Sequence, residues 1–96
     1  MKIVVKNAYE NPVVKEIEGE LNEMQEIVGG YIECFPMTDD ILCVCNEEGK
    51  ILGLPINFNF NRAYICGNVF FVASGCEEFE SLTDEQVYTI MEVFEE

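Results

Sequence analysis

Gly29–Lys50 reads GGYIECFPMTDDILCVCNEEGK, and its pattern decides the fold class. Two β-strands are predicted within it, Tyr31–Met37 and Ile41–Asn46, joined by the polar turn Thr38–Asp40. In Ile41–Cys45 successive side chains point to opposite sides, so Ile41, Cys43 and Cys45 share one face while Leu42 and Val44 take the other. Apolar residues on both faces mark a central strand covered on each side. The turn that follows, Asn46–Lys50 (NEEGK), predicts a positive φ at Gly49, with Ile51-Leu52 resuming the sheet.

Upstream, Lys2–Lys6 (KIVVK) and Val13–Ile17 are β-branched runs separated by the Asn11-Pro12 breaker, the pattern of a hairpin. The period then changes. Leu21, Met24, Ile27 and Val28 fall on one helical face, Glu20, Glu23 and Glu26 on the exposed side, and Gly29-Gly30 ends the helix. Downstream, Asn57–Arg62 (NFNFNR) alternates amide and aromatic; an extended chain puts Asn57, Asn59 and Asn61 on one face and Phe58 and Phe60 on the other. Gly67-Asn68 is a turn and Val69–Ala73 a buried strand. Thr83 and Gln86 make a capping box ahead of the stripe Val87, Ile90, Met91 and Phe94, with Asp84 and Glu85 at the positive end of the helix dipole. The expected fold is one α+β domain over residues 1–96, a mostly antiparallel sheet of about five or six strands covered by two helices.

Composition adds physical character. A 96-residue chain can bury about 60–65% of the surface it exposes when unfolded. It is 49% hydrophobic, yet holds 19 acidic residues against five basic ones, with no histidine and a formal net charge of −14. A folded core inside an acidic shell is expected. Such a shell disfavours direct contact with nucleic acid or an anionic membrane and favours a basic partner; acidity also serves plain solubility. No apolar run reaches the ~20 residues of a membrane span, and none has the form of a secretory signal. A cytoplasmic protein is expected, in a compartment where five cysteines do not imply a disulfide framework.

The absence of histidine excludes imidazole-based triads, and no phosphate-cradling glycine motif occurs, which argues against an enzyme. Three sets of residues remain as candidates. Cys43, Cys45, Cys66 and Cys76, with Cys34 in reserve, would suit one structural zinc ion if gathered in space; their spacing departs from the usual C-x₂₋₄-C knuckle, and the other reading is free thiols packed as small hydrophobes. Asn57, Asn59, Asn61, Arg62 and Lys50 could recognise a phosphate or base edge on a small ligand such as a nucleotide signal, or could satisfy turn backbone. Glu20, Glu23 and Glu26 form an acidic row, since carboxylates three or four residues apart on a helix sit ~5–6 Å from one another, and the C-terminal helix region adds Glu77, Glu78, Glu80, Asp84 and Glu85. Such rows could occupy a basic nucleic-acid channel.

Three segments, LNEMQEIVGGYIE (Leu21–Glu33), CNEEGKILGLPIN (Cys45–Asn57) and SLTDEQV (Ser81–Val87), resemble a small-protein family of unknown function found in phages and bacterial mobile elements. Asn61-Arg62-Ala63 matches that pattern as well, whereas Pro55–Asn61 departs from its compact Gly-Leu-Pro-x-Asn-Arg form. Of the cysteines, only Cys45 falls on a familiar position. The resemblance transfers no catalytic residues. It implies a phage setting, where short acidic proteins of this kind are commonly anti-defence factors. In size and charge the chain is similar to anti-CRISPR inhibitors of a Cas nuclease such as Cas9. The expected function is inhibition of a host defence nuclease through the acidic surface, in the bacterial cytoplasm. The alternatives are sequestration of a nucleotide signal or an accessory phage role.

Overall fold

Two strands, β4 (Ile41–Asn46) and β7 (Val69–Ser74), pair antiparallel at the centre of a six-stranded sheet, with Cys43 opposite Phe71 and Val44 opposite Phe70. Phe70, Phe71, Val72, Cys43 and Val44 have no exposed surface. This burial on both faces is what the apolar-throughout pattern of the two segments dictates. The computed structural model describes residues 1–75 and 78–95.

The other strands extend outward from this pair. β1 (Lys2–Lys6) pairs with β7 on one side and with β2 (Val13–Glu16) on the other, and β3 (Ile32–Pro36) pairs with β4. The path is β2-β1-β7-β4-β3, antiparallel throughout. Two further strands, β5 (Ile56–Phe60) and β6 (Ala63–Cys66), make a separate hairpin. A short β8 (Phe79–Glu80) continues the line of β1 along β7. The expected α+β fold is present, with a mostly antiparallel six-stranded sheet and two helices.

Each face of the sheet has its own cover. Helix α1 (Leu21–Val28) lays Met24 and Val28 over Ile3, Val5, Val44, Phe70 and Val72. Gly29 ends it with φ +78, and the Gly29 and Gly30 amides both donate to the Gln25 carbonyl. Leu21, expected on the apolar face, is 55% exposed: it opens the first turn, and contact with the sheet begins a turn later at Met24. On the opposite face, α2 (Asp84–Val93) and the β5–β6 hairpin cover Val4, Ile41, Cys43 and Phe71. Phe58 joins the two covers, its ring 5.1 Å from Phe94 and 6.3 Å from Phe71. The α2 start is as expected, with the Gln86 amide donating to the Thr83 hydroxyl and the Thr83 amide to the Gln86 side chain.

The segment after β4 departs from expectation. Ile51-Leu52 does not resume the sheet. The Leu52 amide donates to Glu48, Gly53 to Lys50 and Leu54 to Gly49, so residues 47–54 close on themselves in turns instead of extending into a ladder. The positive φ, +70, falls at Gly53 and not at Gly49. Gly49 is needed for space: a Cβ there would lie 2.8 Å from the Cys66 carbonyl oxygen.

Asn46 ties this knuckle to α1. Its side chain is buried, with Nδ2 donating to the Val28 carbonyl at 3.1 Å and Oδ1 accepting from the Glu48 amide at 2.7 Å. Gly30 leaves room for it, since a Cβ at that position would meet Nδ2 at 2.8 Å.

Candidate functional site

The three candidate sets occupy different places. Cys43 and Cys45 project from β4 toward α2, and Cys34 pairs with Val44 and so takes the opposite face. Cys66 stands on β6. Cys76 lies outside the described residues. Among the described residues no group of three or more Cys, Asp or Glu side chains is placed to hold a metal ion. Burial raises the thiol pKa of Cys43 strongly and pushes that of Cys45 up to about 11, so both are protonated at neutral pH. Cys43 and Cys45 pack in the core on the α2 side of the sheet, Cys66 is half-buried and Cys34 is exposed.

Nor do the asparagines form one polar face. A register shift between Ile56 and Phe58 breaks the ideal alternation. Asn57 turns to the β1 side, where Nδ2 donates to the Lys6 and Gly67 carbonyls at 2.7 and 2.8 Å. Its Oδ1 accepts from the Lys6 ammonium at 3.0 Å. That ammonium, on a buried side chain 5.7 Å from the Phe94 ring centroid, also donates to the Asn7 carbonyl; its bond to Asn57 spans 51 residues and has no local sequence signal. Asn59 is exposed, and Asn61 and Arg62, with φ of +49 and +66, are the turn of the β5–β6 hairpin. Lys50 sits apart, on the knuckle at residues 47–54.

The acidic residues divide between the two faces. Glu20 and Glu26 are exposed on the α1 side, while Glu23 folds back to accept from the Glu18, Gly19 and Glu20 amides. Those amide bonds, Glu20 foremost, hold its carboxyl below the ordinary range. Glu78, Glu80, Asp84 and Glu85 are exposed near the start of α2, on the other side of the sheet; Glu77 lies outside the described residues. Asp84 receives a 2.6 Å bond from the Lys2 ammonium, which lowers its pKa. Asp40 joins this end through the Gln86 side-chain amide, and its pKa is lowered first by the Thr38 hydroxyl and then by Gln86. Among the described residues two ion pairs form, Lys2 with Asp84 and the terminal amine with Glu16.

A different feature, overlooked in the sequence, is the shape of the knuckle. Ile51 is 84% exposed and Leu52 56% exposed. On the Ile51 side lies a cleft of about 400 Å³, walled by Phe35, Cys45, Tyr64 and Cys66, with Glu33, Glu47, Glu48 and Lys50 at its margin. On the Leu52 side a hollow of about 260 Å³ is bounded by Gln25, Gly29, Gly30 and Tyr31. Asn46 and Glu48 border both, so the aliphatic pair forms a ridge between two depressions. The signal available in the sequence was an aliphatic pair between two glycines, Gly49-Lys50-Ile51-Leu52-Gly53.

The architecture defines a three-layer α+β module with an acidic exterior. The chain belongs to a domain family of unknown function, DUF3846, whose match spans residues 1–95. No curated protein and no solved structure matches it.

Proposed function

We propose that this protein is a non-catalytic binding protein that docks its acidic surface onto a basic region of a nucleic-acid-processing enzyme. The partner class expected from the phage-like sequence features is a host defence nuclease such as Cas9. The observation that carries this reading is the scarcity of counter-charge. The formal net charge is −14, and only two ion pairs form among the described residues. A surface that leaves so many carboxylates without cations repels itself and favours a partner that supplies them.

The carboxylates on both helical faces, Glu20 and Glu26 on one and Glu78, Glu80 and Glu85 on the other, would steer such a partner. Sequestration of an anionic nucleotide has less behind it. Asn57 is engaged by β1, and an anion near Lys50 would meet Glu33, Glu47 and Glu48. The test is DNA cleavage by a panel of purified Cas nucleases with the protein added at low and at high salt. Inhibition that fades as salt rises is expected. No binding to any nuclease, or binding that strengthens with salt, would overturn the proposal.

A further inference from the structure

We infer that the Ile51–Leu52 ridge is the docking face for a protein partner that presents apolar side chains bordered by lysine or arginine. This rests on the acidic-docking reading and gives it a place on the molecule.

Four observations converge there. The exposure of the ridge is not that of a loose loop. Gly49, Leu52, Gly53 and Leu54 each donate a backbone bond within residues 46–54, at 2.9–3.3 Å. The base is anchored by buried Asn46, and Gly49 runs so close to the Cys66 backbone that a Cβ would not fit. Two adjacent aliphatic side chains are therefore presented to water from a hydrogen-bonded backbone, where each forgoes the gain of burial. Tyr64 stands across the cleft from Ile51 and Tyr31 across the hollow from Leu52, both more than half exposed. Tyrosines beside apolar concave surface are enriched at the centre of protein interfaces.

The charges choose the partner. Glu33, Glu47 and Glu48 surround the ridge against the single cation Lys50. A second copy of this chain would bring the same carboxylates into apposition, and an anionic membrane would repel them. A protein segment with an apolar centre and a basic border matches both the ridge and its rim.

Two synthetic peptides of equal positive charge test this by calorimetry at low salt. One is a leucine–lysine helix with all its leucines on one face, the other an oligolysine. The leucine–lysine peptide is expected to bind about tenfold more tightly, and Ile51→Ser/Leu52→Ser to erase that advantage while oligolysine binding stays within about a factor of two. Amide chemical-shift mapping on the wild type gives a readout that does not need the variant to fold, with the largest shifts expected at Tyr31, Glu47–Leu54 and Tyr64. An advantage that survives in the folded double variant, or shifts centred on α2, overturns the ridge and leaves acidic docking standing. If neither peptide binds, acidic docking fails and the ridge with it.

Discussion

Replacing Asn46 by aspartate changes one buried atom and makes the fold depend on pH. In the native side chain Nδ2 donates to the Val28 carbonyl at 3.1 Å and Oδ1 accepts from the Glu48 amide at 2.7 Å. A protonated aspartic acid can reproduce both bonds, because its hydroxyl donates. An ionised one cannot. It turns an oxygen toward the Val28 carbonyl, in a site with 5% exposure followed directly by Glu47 and Glu48. Burial, the lost donor and the like charges all raise the folded-state pKa, by about two to three units above the unfolded value near 3.9. At about 1.4 kcal/mol per unit, the Asn46→Asp chain should lose about 3 to 4 kcal/mol relative to wild type at pH 8. The sign follows from the raised pKa: the neutral form favours folding, so the penalty shrinks as pH falls and is about 1 kcal/mol near pH 4.5. Asn46→Ala leaves the Val28 carbonyl and the Glu48 amide unpaired at every pH and should cost about 2 to 4 kcal/mol without that slope. Urea unfolding of the three proteins at the two pH values measures the differences. Equal, pH-independent penalties for the two variants would refute the assignment of a donor role to Nδ2.

Glycine substitutions separate crowding from backbone strain in the same knuckle. Gly49→Ala, whose Cβ meets a backbone carbonyl at 2.8 Å, should cost about 2 kcal/mol or more, and Gly53→Ala, in open space at φ +70, about 1 kcal/mol; denaturant midpoints rank them. Arg62→Gly should stabilise the protein by about 0.5–1 kcal/mol in thermal unfolding, because Arg62 holds a φ of +66 that glycine adopts freely. A ligand site at Arg62 would instead show as lost nucleotide-induced stabilisation in that variant. Alkaline unfolding reads the Cys45 thiol. Its neutral form contributes stability below pH 9 that is lost as pH rises toward the folded pKa of about 11, so Cys45→Ala should flatten the fall in stability between those values. An unchanged slope would remove Cys45 as a titrating group in the core.

Elements whose determinants lie within a few residues were legible in the sequence. Ile41–Asn46 and Val69–Ser74 are apolar on both faces and became the central pair. Thr83 and Gln86 satisfy each other's amides over three residues, so the start of α2 needed no tertiary knowledge. The misreadings have non-local causes. Ile51-Leu52 looks like strand until the backbone bonds of residues 46–54 are known. Asn57 was placed with Asn59 and Asn61 because its partners, Lys6 and Gly67, are 51 and ten residues away. The acidic rows were each readable, but not that α1 and α2 would place them on opposite faces of one sheet.

The same logic separates scaffold from candidate function within the motifs that carry the family resemblance. Gly29-Gly30 and Cys45–Gly49 meet in space: Gly30 makes room for the Asn46 amide, Asn46 bonds the last turn of α1, and the Glu47 amide donates to Tyr31. These residues are engaged with one another and are accounted for by holding the chain together. Ile51 and Leu52, inside the second motif, make no comparable contribution to the core, being absent from both buried clusters. Their position nevertheless depends on the interlock, since the Leu52 and Leu54 amides bond to Glu48 and Gly49. A change at Asn46 should therefore disturb the ridge as well as α1, whereas a change at Ile51 should leave α1 untouched. That one-way dependence is what a rigid base supporting an exposed docking element requires.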